Sequence, residues 1–221
     1  MPSIAATDLW PFPDLRVTSG DLELRYIDDG TLLSLAALAA EGLHEESFMP
    51  FAVPWTRGTP LEIARSVLAY QWGARSRLSP EIWELELAVL LDGVPVGIQA
   101  IGAKDFPATR TVGTGSWLGR AYQGRGVGRR MRALVLHLAF EGLDARTAVT
   151  SAWADNAPSN GVTRRLGYAP NGNVVEAREG VGVEHLRYRL DRGDWEANQA
   201  VHLPGVRLAG VDGVREYLSI A

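Results

Sequence analysis

Apolar residues recur along this chain with two different periods, and each period indicates a different secondary structure. Leu22, Leu24 and Tyr26 alternate with polar residues, which is typical of a half-buried strand. Segments 31–41 and 60–77 are instead rich in helix formers. The pattern therefore predicts one strand followed by two helices.

Three extended segments come next. Segments 83–91 and 94–101 flank Asp92-Gly93, a residue pair that favours a tight hairpin turn. A third strand, 110–118, extends this predicted antiparallel hairpin.

The clearest helical periodicity covers 126–141. Apolar residues recur there at i, i+4, i+7, i+8 and i+11, which places them on one face of a helix. These residues are Val127, Met131, Leu134, Val135 and Leu138. The pattern predicts an amphipathic helix.

The last clear elements are a strand at 147–153, a helix at 157–166 and a closing pair of strands at 173–178 and 183–190. Strands and helices thus alternate through most of the chain. This order predicts an α/β fold (α+β, with a mixed sheet) whose helices flank both faces of the sheet.

The two ends of the chain carry weaker patterns. Residues 1–20 mix prolines and glycines with other residues and are predicted to form an irregular N-terminal arm. We expect one domain over 21–190 and a C-terminal extension over 191–221. The pattern leaves open whether the extension holds a helix near Trp195 and a final extended piece.

Composition restricts the class of protein. The 221 residues suit one domain with appendages and a substantial core. The net charge of −4 and the lack of a dense basic block argue against nucleic acid as a partner. The chain has no cysteine, which excludes disulfides, thiolate metal sites and a cysteine nucleophile. With neither a membrane-length apolar run nor a recognisable secretory signal, we expect a cytoplasmic protein without a membrane partner.

Candidate chemistry concentrates in segment 116–130, S-W-L-G-R-A-Y-Q-G-R-G-V-G-R-R, where a predicted strand runs into the amphipathic helix. Its glycines allow several backbone N–H groups to point at one anion, and the helix N-terminus adds about half a positive charge. Arg125 and Arg129 can add charge-assisted hydrogen bonds to a pyrophosphate. The same glycines also suit a simple tight turn without a ligand. The spacing of the glycines is therefore needed to distinguish the two possibilities.

Two common phosphate-binding loops do not fit this spacing. A Rossmann fingerprint, G-x-G-x-x-G, needs glycine where the chain has Arg129. A Walker A loop needs the sequence G-K-S/T, which the segment lacks.

Two motifs resemble those of the GNAT N-acyltransferase superfamily. Q-G-R-G-V-G at 123–128 resembles its Q/R-x-x-G-x-G/A loop, which cradles the pyrophosphate of coenzyme A. N-A-P-S-N-G-V-T-R-R-L-G-Y at 156–168 resembles the N-x-x-S…L-G-F/Y signature of the RimJ/RimL-type branch. The resemblance covers 21–190 and implies the GNAT fold, a central, mostly antiparallel mixed sheet that is splayed at the CoA site.

The resemblance implies acetyl-CoA, or another acyl-CoA such as succinyl-CoA, as the cofactor. Strand 116–118 would splay from strand 147–153, and the pantetheine arm would lie in the gap. The residues implied to bind the cofactor are Ser116, Trp117, Leu118, Gln123, Gly124, Arg125, Gly126, Val127, Gly128, Arg129, Asn156 and Ser159.

The implied reaction is direct attack of a primary amine on the thioester, without a covalent enzyme intermediate. A backbone N–H near Trp117 or Leu118 would stabilise the oxyanion. Thr163 stands where many members have the tyrosine that protonates the leaving thiolate, so Ser159 is the candidate for that role. The alternative role of Ser159 is to cap or pack the start of its helix.

The amine must also lose a proton, which at neutral pH requires a carboxylate, a histidine or a chain of waters. The candidates are Asp105, after the second strand of the hairpin, and His44, Glu45 and Glu46, in the loop where acceptors enter in the family. Each candidate has an ordinary alternative as a solvated or packing residue. No metal ion is expected.

We therefore expect an N-acyltransferase that moves an acetyl or succinyl group to a primary amine of a small molecule or a protein N-terminus. The alternative is a catalytically silent CoA-binding sensor or interaction module. A homodimer is also expected from the strand-rich C-terminal part.

Overall fold

The computed structural model describes residues 4–220 as one mixed sheet with helices packed against it. Within these residues the sheet has nine strands, which are, in chain order, β1 Arg16–Ser19, β2 Leu22–Tyr26, β3 Ile82–Leu91, β4 Val94–Lys104, β5 Thr111–Leu118, β6 Thr147–Trp153, β7 Ala169–Arg178, β8 Val181–Asp191 and β9 Arg207–Ala209. Across the sheet they lie in the order β7, β8, β6, β5, β4, β3, β2, β1, β9. Neighbouring strands are antiparallel except β5 and β6, which are parallel. The predicted mostly antiparallel mixed sheet is confirmed.

The helices within 4–220 are α1 Ala6–Leu9, α2 Asp29–Ala40, α3 Pro60–Ser76, α4 Phe106–Thr109, α5 Val127–His137, α6 Ala157–Arg165, α7 Arg192–Ala197 and α8 Val211–Tyr217. A π-helical turn, Leu138–Gly142, continues α5 to the end predicted for this helix. Thr59 and Glu62 form a capping box that begins α3. In this part of the chain no helix combines the length and apolar character needed to cross a membrane.

Strand β3 shows that the sheet has two different faces. Successive side chains of a strand point to opposite sides. Leu85 and Leu87 pack in a large core cluster with Leu134 of α5, whereas Ala88 packs in a second cluster with Leu35 of α2 and residues of α3. We call these two sides the α5 face and the α2/α3 face.

The prediction that 1–20 forms an irregular arm is wrong for part of that segment. Strand β1 pairs with both β2 and β9, and Phe12 and Val17 are fully buried. Gly20, at φ +60°, makes the tight turn between β1 and β2, so this glycine ends a strand inside the fold. The division of the chain into arm, domain and extension stays a prediction, and residues 1–3 and 221 at its outer ends lie outside the described residues.

The C-terminal segment packs against the α5 face and the β1 edge. Trp195 lies in α7 and is fully buried, with its ring 5.9 Å from that of Phe140 and 4.1 Å from that of His202. The final extended piece is β9, which adds an outer strand beside β1. The segment therefore completes the core and the sheet.

Candidate active site

A gap opens in the sheet between β5 and β6. The two strands are paired only near their starts, as far as Gly113 and Val149. β5 then continues to Leu118 and β6 to Trp153 without further pairing. Backbone groups of β5 that face the gap therefore have no partner strand and can bind a ligand.

The glycine loop, residues 119–126, joins the open end of this gap to α5. Gly124 and Gly126 have φ angles of +70° and +81°, in the left-handed region that favours glycine. Gly126 is the last residue before α5, whose first N–H groups have no acceptor within the helix. Arg125 and Arg129 are exposed beside these donors. The arrangement suits an anion such as a pyrophosphate.

The first turn of α5 leaves space beside the loop. Val127 is buried in the core of the α5 face, so its side chain supports the loop from below. A Cβ at Gly128 would lie 3.8 Å from a methyl group of Leu118 and 4.0 Å from one of Val162. These are ordinary contact distances, so the protein alone does not require glycine at position 128.

The second motif begins α6 on the other side of the gap. The Asn156 side chain accepts a hydrogen bond from the N–H of Ser159 at 3.2 Å, so Asn156 caps the helix. The hydroxyl of Ser159 makes no hydrogen bond to any residue in 4–220. Thr163 is buried and donates from its hydroxyl to the carbonyl of Ser159 at 3.0 Å. Ser159 is thus not the cap, and its hydroxyl can serve a ligand.

The acceptor loop, residues 41–59, lies against the glycine loop. Gln123 donates from Nε2 to the carbonyl oxygens of Leu43 and Leu118, both at 2.8 Å. Glu45 forms an ion pair with Arg120 of the glycine loop. Gln123 therefore ties the end of β5, the glycine loop and the acceptor loop together.

His44 is held by both of its ring nitrogens. Nδ1 lies 2.8 Å from the carbonyl oxygen of Glu45, and Nε2 lies 2.7 Å from the hydroxyl of Thr56. Glu46 is exposed and lines a cavity of about 210 Å³ together with His44 and Arg57. The cavity makes this loop a candidate entry for the acceptor.

A row of aromatic rings connects the acceptor loop with the gap. The ring of Trp117 on β5 lies 6.0 Å from that of Trp55, which lies 5.0 Å from that of Phe51. Phe51 in turn lies 5.8 Å from the ring of His44. Trp117 points to the α2/α3 face, so the gap and the loop share one apolar wall.

The chain also matches known proteins. The model of the acetyltransferase (GNAT) domain matches residues 22–169, which is more than half of the chain. This chain belongs to the GNAT acetyltransferase family.

Solved structures of acetyltransferases have a similar fold. RimJ from Mycobacterium smegmatis, in complex with CoA-disulfide, is 20% identical over 93% of this chain and 95% of that chain, with a TM-score of 0.69. RimL, a ribosomal L7/L12 alpha-N-protein acetyltransferase in complex with coenzyme A, is 23% identical over 78% and 95%, with a TM-score of 0.60. The microcin C7 self immunity acetyltransferase MccE, in complex with acetyl-CoA and AMP, is 18% identical over 77% and 92%, with a TM-score of 0.62. These likenesses confirm the GNAT fold expected from the two motifs, and the chain is an enzyme of that family.

Asp105 lies apart from the other candidates of this GNAT enzyme. β4 runs antiparallel to β5, with Gly102 opposite Gly113, so residues after Gly102 extend away from the gap. Asp105 begins α4 there, at φ +50°, and its N–H donates to the carbonyl of Glu81. The structure thus brings the acceptor loop, which carries His44, Glu45 and Glu46, against the glycine loop through Leu43 and Glu45, and leaves Asp105 at the opposite end of β5.

A carboxylate pair on β3 was not among the candidates from the sequence. Tyr70 of α3 donates from its hydroxyl to Glu84 at 3.0 Å and to Glu86 at 3.2 Å. Burial raises the pKa of Glu86 to about 7, and the nearby charge of Glu84 adds to this, while hydrogen bonds from Gln71 and Tyr70 act in the opposite direction. The alternation E-L-E-L at 84–87 was the available signal, because it places both glutamates on the face opposite the core leucines.

A buried arginine spans the base of the gap from the α5 face. Arg132 of α5 is 5% exposed and lies 3.3 Å from the hydroxyl of Ser116 on β5 and 3.3 Å from that of Thr150 on β6. Burial lowers its pKa, and the neighbouring Tyr168 counteracts this shift. The side chain of Ser116 therefore faces α5, and its place in cofactor binding stays a prediction.

Proposed function

We propose that this GNAT enzyme moves an acetyl group from acetyl-CoA to a primary amine of a small molecule or a protein N-terminus, by direct attack in a ternary complex. The observation that carries the proposal is the gap between β5 and β6, which opens onto a glycine loop and the N-terminus of α5. When bound, acetyl-CoA supplies an acyl group that is activated as a thioester.

The residues at this site fit such a cofactor. The N–H groups at the start of α5 and the exposed side chains of Arg125 and Arg129 lie in one short segment and can hold a pyrophosphate. The unpaired edge of β5 offers backbone groups to the amides of a pantetheine arm. Asn156 caps the start of α6, which leaves the hydroxyl of Ser159 without a hydrogen-bond partner among residues 4–220.

Two groups of the chain are placed to assist the acyl transfer. A backbone N–H near Trp117 or Leu118 donates to the carbonyl oxygen as it gains negative charge, which stabilises the transition state. The Ser159 hydroxyl, which has no other partner in 4–220, donates to the leaving sulfur. Neither role requires a covalent intermediate.

The similar structures support the choice of acyl donor and acceptor. RimJ and RimL are complexes with CoA species, MccE binds acetyl-CoA, and RimL is named for transfer to a ribosomal protein N-terminus. We therefore propose acetyl before succinyl, and an amine that enters through the cavity of the acceptor loop.

Calorimetric titration with acetyl-CoA, succinyl-CoA and free CoA tests the cofactor site. The variant is Gly126→Ala and its matched control is Gly172→Ala in β7. The two glycines have nearly equal φ angles, +81° and +83°, and a Cβ would meet nothing within 4 Å at either position. Each substitution should therefore cost a similar conformational strain, about 1–2 kcal/mol.

The two variants should differ in binding alone. Gly126→Ala reorients the N–H groups of the loop and should weaken acetyl-CoA binding about tenfold or more, whereas Gly172→Ala should bind like the wild type. Equal affinity of all three proteins, or no binding of any CoA species by the wild type, would contradict the proposed cofactor site. The acyl form that binds most tightly shows which donor the enzyme prefers.

A further inference from the structure

A strip of three residues on the α2/α3 face leads from β3 to the gap, and its middle member, Ala100, is buried. Glu86 of β3 lies opposite Ala100 of β4, which lies opposite Gly115 of β5, and directly opposite residues share a face. A Cβ built on Gly115 would meet nothing within 4 Å. We call this strip, from Glu86 across Ala100 to Gly115, the acceptor strip.

The acceptor strip carries small residues between a carboxylate and the gap. Neighbouring strands are about 4.8 Å apart, so the backbone of Glu86 lies about 10 Å from that of Gly115. The hydroxyl of Tyr70, a side chain that is 47% exposed, holds the Glu86 carboxylate at 3.2 Å, so a proton would cross the remaining distance through the amine itself or a bridging water. No side chain larger than a methyl group stands between the two positions along the strip.

From this arrangement we propose that Glu86 accepts the proton that the acceptor amine loses, with Glu84 and Tyr70 as positioning residues. The proposal deepens the proposed function and rests on it. It assigns the base to a residue outside the acceptor loop and makes the acceptor an alkylammonium ion, because the carboxylates at this end of the strip favour a cation.

The proton balance of this step is simple. The ammonium group gives one proton to the carboxylate of Glu86 and becomes a neutral amine with a free electron pair. The C–N bond then forms and the C–S bond breaks. The thiolate takes up one proton, the amine nitrogen loses its second, and Glu86 releases its proton to solvent, so one proton is released in each turnover.

The surroundings of Glu86 suit a base that works near neutral pH. Glu84 on the same strand is like-charged, and Tyr70 and Gln71 on α3 donate to the pair. A small cavity is lined by Glu84, Glu86 and Arg75 of α3, and the guanidinium of Arg75 is engaged by Asp29 and the carbonyl of Ile27. On β2, Tyr26 also lines this cavity, and Arg25, which shares the face of Glu86, donates to the hydroxyl of Thr31. The residue of β4 directly opposite Glu86 is Ala100. With its pKa near 7, Glu86 can both take and release a proton at that pH.

The test compares pH–rate profiles of the full-length wild type, Glu86→Gln and the control Glu23→Gln. Glu23 lies on the same face of the sheet but on β2, where it pairs with Arg16. Release of CoA thiol from acetyl-CoA is followed from pH 5.5 to 9 with a fixed panel of alkylamines, amino-acid amides and tripeptides with free N-termini. Acetyl-CoA affinity is measured by calorimetry for each variant.

Glu86→Gln should lower kcat about 100-fold and remove the inflection near neutral pH, while acetyl-CoA affinity and the Glu23→Gln profile stay unchanged. Glu84→Gln should move the inflection to lower pH, since it removes a like charge, and Tyr70→Phe should move it to higher pH, since it removes a hydrogen bond to the carboxylate. A merely structural role of Glu86 would not produce these opposite shifts.

Retention of wild-type kcat and of the inflection by Glu86→Gln would overturn the proposal. If no amine of the panel reacts, the slow hydrolysis of acetyl-CoA is measured instead, with water as the nucleophile, and an unchanged rate in Glu86→Gln again overturns it. Failure of the wild type to bind acetyl-CoA would instead contradict the proposed function itself.

Discussion

The two faces of the sheet differ in what their side chains do. The α5 face buries a continuous apolar core. Residues of strands β1 through β6, of α5 and of the C-terminal segment contribute to it, and Phe140 and Trp195 are fully buried there. The α2/α3 face has a smaller apolar cluster and, beside it, the carboxylates Glu84 and Glu86 and the open position of Gly115.

The two faces of this single sheet are therefore expected to contribute differently, one mainly to stability and the other to function. Apolar burial contributes most of the folding free energy, so the α5 face is expected to dominate stability. Charged groups that are partly buried lower the stability of the fold. Their presence on the α2/α3 face therefore points to a functional role.

The largest expected effect is the loss of stability when a buried leucine of the α5 face is truncated, compared with an exposed leucine. Leu134→Ala removes a fully buried side chain of α5 and should lower the free energy of unfolding by about 2–5 kcal/mol. The matched variant Leu33→Ala changes a side chain of α2 that is 61% exposed and should change it by less than about 0.5 kcal/mol. Urea denaturation at pH 7.5 measures both, and similar losses would contradict the expectation that burial in the core of the α5 face sets the contribution of Leu134.

The sequence predicted the parts of the fold that have a local signal. Helix α5 and the strand Thr147–Trp153 could be predicted from their apolar residues, and the turn at Asp92-Gly93 from a residue pair that favours its backbone conformation. Strand β1 was missed because its buried residues are few and lie between turn residues, and only its pairing with β9, nearly 200 residues away, explains its place.

Less of the candidate site than of the fold could be predicted from the sequence. The glycine loop was found from its spacing, since its glycines at positive φ serve a local purpose. The gap between β5 and β6, the cavity of the acceptor loop and the pairing of Tyr70 with Glu84 and Glu86 arise from tertiary contacts. No local pattern reveals such contacts, although the alternation of β3 indicated which face the glutamates share.

A second prediction concerns the stability cost of Glu86. Its pKa is raised to about 7 in the folded protein, above the ordinary value of 4.5, so the fold favours the protonated form. The stability gained from this group is present below pH 4.5 and is lost as the pH rises to about 7. Glu86→Gln should therefore be more stable than the wild type at pH 8, by about 1–2 kcal/mol, and nearly equal to it at pH 4.5.

Thermal and urea denaturation at both pH values measure this difference. Glu23→Gln again serves as the control, because Glu23 lies on the same face of the sheet and its partner Arg16 is exposed to solvent. A Glu86→Gln variant that is less stable at pH 8 would show that the carboxylate stabilises the fold, and would weaken the case for a role in catalysis.

The smallest expected effect comes from His137 on the α5 face. Its contribution to stability depends on pH in the opposite direction to that of Glu86. His137 packs edge-on against Trp195 and 5.0 Å from the ring of His202, and burial lowers its pKa to about 4, with His202 adding to the shift. Because this value lies below the ordinary 6.5, the stability due to neutral His137 is present above pH 6.5 and is lost as the pH falls toward 4. His137→Phe keeps an aromatic ring at the contact but cannot take up a proton. It should match the wild type at pH 8 and exceed it by about 1 kcal/mol at pH 5, a value reduced for the partial exposure of the ring. Urea denaturation at these two pH values gives the comparison directly, and an equal difference at both would show that the contact of His137 with the C-terminal segment does not depend on its protonation.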